Sequence, residues 1–234
     1  MNYKTLGVLT TALIIYGPGQ FVHGTLPAEA KTPYKNMSAQ QYLKVLKTER
    51  NGWERARAAT QLGILGDPIA LEQLHKSLLS DLQPQVRINS ANAIARINQR
   101  ASAKKLLQAI PVNRGKTDVQ LAIIRALGDM GPNSKEFTPV IMRFLKSPNP
   151  YVREVTVESL INIQDPRALP VLNKLLEIEE ELVVKLTLTK LIVKFKSPSS
   201  IPILEKIAAR PKEHMDVKAL ARDSLDKLAE MNVH

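Results

Sequence analysis

The sequence predicts an all-α solenoid built from six two-helix repeats. Three observations predict it. A stripe of apolar residues recurs every 32 or 33 residues from position 54 onward. Within each copy, its members fall at helical spacing. No segment sustains the period-two alternation of a half-buried strand. A helix pair of this size buries its apolar face only by stacking on neighbours, which makes a linear array.

The 234 residues are 44 % hydrophobic, enough for a packed core and too much for a disordered chain. The chain has no cysteine, which excludes disulfides, a thiol nucleophile and thiolate metal sites. Its 33 Lys and Arg against 22 Asp and Glu give a net charge of +11, which admits an acidic partner without naming one.

Residues 1–30 differ from the rest. A short positive start, Met1–Lys4, precedes the apolar run Thr5–Tyr16, and Gly- and Pro-containing sequence follows to Ala30. That order is a secretory signal peptide, with small-residue cleavage points after Gly24 and after Ala30. An exported protein, periplasmic or extracellular, is the expectation. The alternative is a membrane anchor over residues 5–22, which Gly17-Pro18-Gly19 interrupts. Removing the leader leaves the charge at +11, and no second apolar stretch reaches membrane-spanning length. Residues 31–37 form a polar lead-in.

The repeats occupy 38–234, at about 38–66, 67–98, 99–132, 133–164, 165–196 and 197–234. Their register is set by the column Glu54, Val86, Val119, Val152, Val184, Val217, spaced 32, 33, 33, 32 and 33 residues. Four residues on stand Ala58, Ser90, Ile123, Thr156, Leu188 and Ala221. Eight on stand Leu62, Ile94, Leu127, Leu160, Ile192 and Leu225. Eleven on stand Leu65, Ile97, Met130, Ile163, Phe195 and Leu228. Offsets 0, 4, 8 and 11 share one helix face. This helix is the second of each repeat.

A first helix precedes each. Ser38 with Gln41 is a capping box for the earliest. Asp67-Pro68, Asp165-Pro166 and Ser197-Pro198 place a capping side chain before a proline at the first helical position. Phe137, Val140, Ile141, Phe144 and Leu145 mark the first helix of the fourth repeat. Turn formers at Asn51-Gly52, Gln83-Pro84, Asn113 to Gly115 and Pro148 to Pro150 separate the members of a pair.

Pro84-Gln85-Val86-Arg87 with Ala91 to Ile97, and Pro150-Tyr151-Val152-Arg153 with Leu160 to Pro166, resemble HEAT repeats, and more closely the short HEAT-like subclass shared with phycobilisome-lyase subunits. The resemblance implies a right-handed solenoid whose second helices line the concave side. It also implies that the basic residue opening each second helix pairs with an acid six residues earlier. Glu49, Asp81 and Glu179 stand there for Arg55, Arg87 and Lys185. Arg153, Lys218 and Gln120 have Ser147, Lys212 and Arg114 instead, so the expected ladder is partial.

Searching for chemistry yields little. Of four histidines, His23, His75, His214 and His234, none is spaced for a metal site, and His75 and His214 read as exposed. No G-x-S-x-G elbow or phosphate loop occurs. Asp67 and Asp165 read as helix caps. The chain is therefore expected to be non-enzymatic, with no cofactor. The candidate partner-binding residues are the basic column Arg55, Arg87, Arg153, Lys185 and Lys218, interrupted by Gln120, which would present a basic stripe to an acidic protein segment or ligand on the concave face. The competing role for the same residues is local support of the stack. Trp53 would either anchor a partner or shield the open end of the core. Two other functions compete: nucleic-acid binding, weakened by sparse aromatics and the leader, and a bilin-lyase-like or chaperone subunit, which rests on the resemblance.

Overall fold

The structure, a computed structural model, describes residues 36–231. The expected leader, its cleavage points and most of the lead-in lie outside the described residues. From Met37 the chain packs as one compact unit. Among the described residues there is no strand, and no helix is long and apolar enough to cross a membrane.

Twelve α-helices are described, in six successive pairs. They are α1 (Ala39–Thr48) with α2 (Gly52–Leu65), α3 (Leu71–Ser80) with α4 (Pro84–Ile97), and α5 (Arg100–Val112) with α6 (Thr117–Asp129). Then come α7 (Thr138–Ile141) with α8 (Pro150–Ile163), α9 (Leu169–Ile178) with α10 (Leu182–Leu191), and α11 (Ile201–Ala209) with α12 (Met215–Met231). The second helices pack on one another in order, from α2 to α12, more closely than the first helices do. That crowding puts the second helices on the inner side of the stack and the first helices on the outer side.

The pairs repeat because their punctuation repeats. Offset 12 is left-handed in five copies, at Gly66, Asn98, Gly131, Gln164 and Lys196, with φ between 49° and 69°. A left-handed residue ends a helix by turning the chain back over its last carbonyls. In three of the five copies the next residue, Asp67, Asp165 or Ser197, then caps the following element. Asp67 accepts from the Ile69 amide at 3.0 Å, and Asp165 from the Arg167 amide at 3.0 Å. The expected capping holds there, with one refinement. Each proline opens a single 3₁₀ turn, Pro68–Ala70 or Pro166–Ala168, before the α-helix proper.

The fourth repeat departs from the pattern. The helix expected over Phe137–Leu145 is broken into a 3₁₀ stretch at Gly131–Phe137, the four residues of α7, and a second 3₁₀ stretch at Met142–Lys146. Pro132 and Pro139 supply no amide to a helical ladder, so a regular helix cannot begin before Thr138; no proline marks the 3₁₀ winding from Met142.

The columns at offsets 0, 4 and 8 run through the core, whereas at offset 11 Met130, Ile163 and Leu228 are buried, Ile97 and Phe195 are half-buried and Leu65 is 49 % exposed. Leu62, Ile94, Leu127, Leu160 and Ile192 are at most 1 % exposed, and the offset-4 column is buried throughout. Small residues bring the second helices close. A side-chain carbon on Gly128 would stand 2.5 Å from the Ser159 Cα, and one on Gly63 would stand 2.7 Å from the Ala93 Cα. Ser159 Oγ also donates to the Ile124 carbonyl at 2.9 Å, and Ser224 Oγ repeats the bond to Thr189 at 2.8 Å.

Both ends of the stack are closed by polar substitution. Inside it, offsets 5 and 9 face the following repeat and hold Ala91, Ile124 and Val157, or Ala95, Gly128 and Ile161, all buried. In α12 the same positions are exposed and hold Arg222 and Asp226. Offsets 3 and 7, which face the preceding repeat, hold Ala122 and Val155, or Ala93 and Ala126, inside; in α2 they hold Arg57 and Gln61. Terminal repeats of a solenoid need such polar outer faces.

Candidate functional site: the basic column and the inner face

The basic column lies where helix pairs meet, and four of its members are bound into joints between repeats. Arg55 on α2 forms a two-pronged pair with Asp81 at the end of α3, Nε and Nη2 each donating at 2.8 Å, while Nη1 donates to the Glu49 carbonyl at 2.9 Å. Arg153 on α8 repeats this arrangement. It donates to both oxygens of Glu179 at 2.8 and 2.7 Å and to the Ser147 carbonyl at 2.9 Å. Lys185 on α10 pairs with Glu213, which also accepts from Arg210 at 3.2 Å. Arg87 is buried without a carboxylate. Its Nε donates to the Asp81 carbonyl at 2.6 Å, and its Nη1 to Asn113 Oδ1 at 2.7 Å. Asn113 is itself fully buried and donates to the Ala109 and Leu78 carbonyls.

This geometry corrects the expected pairing. The carboxylate or amide partner stands 26 or 28 residues later, in the next repeat. For the three arginines, the residue six earlier accepts through its backbone carbonyl. Arg153, for which no acid was expected, holds one of the best-formed pairs. Each arginine rung therefore ties its own first helix to the next one along. Such forks are strong because they are charge-assisted and geometrically fixed. Burial pushes the carboxyls of Asp81, Glu179 and Glu213 up. The cations and backbone amides that donate to them outweigh it and hold all three below the ordinary range.

The column is incomplete in two places. Gln120 and Lys146 occupy the third-to-fourth joint, 26 residues apart like the other partners, and neither side chain forms a hydrogen bond or ion pair there. Lys218, on the last helix, is half-buried and has no side-chain partner among the described residues.

Two further expectations need correction. Trp53 does not shield the end of the core, because it is 69 % exposed. His75 is not exposed; it is 7 % accessible, with Nδ1 2.6 Å from the Leu71 carbonyl. Burial, aided by Lys105, lowers its pKa. Asp165 is a cap, as expected, and it also receives the Arg167 guanidinium. That bond holds its carboxyl at about 2. No group of three or more His, Cys, Asp or Glu side chains placed to hold a metal occurs among the described residues.

The solvent-facing stripe of the second helices lies at offsets −1, 2, 6 and 10. Its edge near the helix starts carries apolar residues that sequence reading misses, a lane interrupted by Gln85, Asp118 and Asp216 at offset −1 and by Glu154 at offset 2. Trp53 and Tyr151 (53 % exposed) stand at offset −1, and the half-buried Ile88, Leu121 and Leu186 at offset 2. Offsets 6 and 10 are charged and mixed in sign. In their middle, Arg125 lies 4.0 Å from Glu158. Burial raises the carboxyls of Asp129 and Glu158 against the pull of Arg125. The signal was present in the register. Reading offsets −1 and 2 as columns exposes the lane.

Comparison with known proteins fits this architecture. No curated protein sequence matches the chain. Among solved structures, it is similar to the complex of CpcE and CpcF of phycocyanin lyase from Nostoc sp. PCC7120, with a TM-score of 0.57 and 16 % identity over 88 % of this chain and 98 % of that one. It is also similar to an archaeal HEAT-like repeats protein from Thermococcus onnurineus NA1, with a TM-score of 0.50 and 14 % identity over 83 % and 98 %. At these identities the likeness is one of fold. The HEAT repeats family matches residues 39–114, 112–192 and 138–226, which together span nearly all the described residues, and the chain belongs to that family.

Proposed function

We propose that this protein is an exported, non-enzymatic scaffold that holds a segment of a protein partner against the inner face of its second helices. A HEAT repeat scaffold suits protein interaction. The observation that carries the finer reading is the apolar lane. Trp53 and Tyr151 stand exposed at the same register, three repeats apart; Gln85 and Asp118 hold that register between them, and Ile88 and Leu121 lie beside it at offset 2. Exposed aromatics of this kind supply most of the energy of a protein contact. The mixed charges at offsets 6 and 10 select the partner more than they tighten it. Arg55, Arg87, Arg153 and Lys185 enter as the frame that fixes the lane's spacing. Lys218 is the one member of the column left to offer its charge. Export is supported by the order of residues 1–30, positive start, apolar run and small-residue cleavage points.

Site-specific photo-crosslinking in the native envelope tests the reading. A crosslinker at Leu121 or Tyr151 should trap one discrete protein, and one at the outward-facing Lys174 or Lys206 should not. Trp53→Ala combined with Tyr151→Ala should abolish the product. Equal products from both faces, or none from the inner face, would refute the proposal.

A further inference from the structure

The net charge is not spread along the stack. Residues 82–117 hold seven basic side chains and no Asp or Glu, so this sixth of the chain carries seven of the eleven net charges. The fold sorts them. Arg87 goes into a joint, Arg96 faces the inner side, and Arg100 lies 3.9 Å from Glu136. Lys104, Lys105, Arg114 and Lys116 remain exposed on or just beyond α5, and Lys76 joins them from the neighbouring α3. None of these five cations enters an ion pair among the described residues. The nearest acids in sequence are Asp81, whose carboxylate is taken by Arg55, Glu72, one turn before Lys76, and Asp118, opening α6.

Apolar side chains stand among these cations. Leu82, at the tip of the turn after α3, is 91 % exposed, Val112 at the end of α5 is 54 % exposed, and Leu79 on α3 is 40 % exposed. The bond from Asn113 to the Leu78 carbonyl, at 3.4 Å, holds the ends of α3 and α5 together, which brings Leu79 and Val112 to one edge. Between the two helices a cavity of about 420 Å³ opens, lined by His75, Leu78, Leu79, Gln108 and the stems of Lys76 and Lys105. An apolar edge rimmed by five free cations therefore lies on the outer side, away from the inner lane.

We propose that this outer patch of the second and third repeats docks on an anionic lipid bilayer, its cations meeting the headgroup phosphates and Leu79, Leu82 and Val112 entering the interface. Its chemistry favours a lipid surface over an acidic protein. Four of the five cations are lysines, which protein interfaces deplete. No carboxylate or carbonyl orients them, so they suit diffuse charge rather than a fixed acceptor pattern. A group of four to eight cations beside exposed apolar residues is what holds a surface helix on anionic lipid. The inference is independent of the protein partner on the inner face.

Flotation of the full chain with lipid vesicles tests it, since the apolar run at residues 5–16 is then common to every arm. At about 0.1 M salt, vesicles containing roughly one-third phosphatidylglycerol should bind at least ~10-fold more tightly than pure phosphatidylcholine. Each cation near such a surface contributes about fivefold, so Lys76→Glu/Lys105→Glu/Lys116→Glu should erase that preference. Lys174→Glu/Lys190→Glu/Lys194→Glu, with the same change in net charge, should keep most of it. Leu82→Ser, in an exposed turn with nothing to unfold, should weaken anionic binding several-fold and leave helical content unchanged. Equal binding to neutral and anionic vesicles, or equal losses in the two triple variants, would overturn the proposal. So would patch-dependent binding of a poly-glutamate peptide with no vesicle binding, which would assign the patch to an acidic protein.

Discussion

The joint between the fourth and fifth repeats and the joint between the third and fourth use second helices of the same register, yet only the former is clamped at its edge. Arg153 and Glu179 close it with a fork largely withdrawn from water. At the other, the positions hold Gln120 and Lys146, and the approach of Gly128 to Ser159 does the joining deeper in. The unclamped joint also carries the broken first helix, from Gly131 to Lys146. The difference separates two means of stacking helices. One is close packing of small residues, as where Gly63 meets Ala93 and Gly128 meets Ser159. The other is a charged rung, which most joints add. The middle of this solenoid has the first without the second and is its natural place to flex.

Acid should have the largest effect on the clamped joints. The carboxyls of Asp81, Glu179 and Glu213 are held below their ordinary range, and Asp165 lies at about 2. A depressed carboxyl contributes stability that is complete above its unfolded value, near pH 4, and is lost as pH falls through the folded value. The melting temperature should ease down between neutral pH and about pH 5, where His75 takes a proton more readily in the unfolded chain, and drop steeply from pH 4 toward pH 2. A melting temperature unchanged at pH 3 would show that the rungs contribute little.

Next in size is loss of a single rung. Arg153→Ala leaves Glu179 largely buried with no cation and should cost about 3 kcal/mol in urea denaturation. Building the missing rung should act in the other direction. Gln120→Arg with Lys146→Asp restores the 26-residue spacing and should add about 1 kcal/mol. It should also slow hydrogen exchange across residues 131–147, which ought to open most readily in the natural chain. The smallest effect belongs to Lys218→Ala, within about 0.5 kcal/mol, because no rung is lost there.

The fold was legible because its signal is repeated. Six copies in register fix both the helix faces and the pairing of helices, and a chance match at one position does not survive six. Phe137 to Leu145 keeps the apolar spacing that predicts a regular helix; Pro132 and Pro139 delay its start to Thr138, and no residue marks the 3₁₀ winding from Met142. The rungs were half legible. In a 32-residue repeat, the residue six before one cation is also the residue 26 after the previous one. Asp81 is both for Arg87 and Arg55, so sequence spacing alone cannot say which guanidinium its carboxylate receives. The direction in which the side chains lean decides it. Trp53 and His75 were misplaced for a related reason: a residue's neighbours across the stack, not its neighbours in the chain, set its burial.

A double-mutant cycle on Arg153 and Glu179 tests most directly whether the basic column belongs to the frame. The single variants Arg153→Ala and Glu179→Ala and their combination would be compared by urea denaturation. A rung predicts that the combined variant loses far less than the sum of the singles, with a coupling of about 2 kcal/mol. Additive losses, with coupling within about 0.5 kcal/mol, would contradict it and return these cations to the surface as free charges.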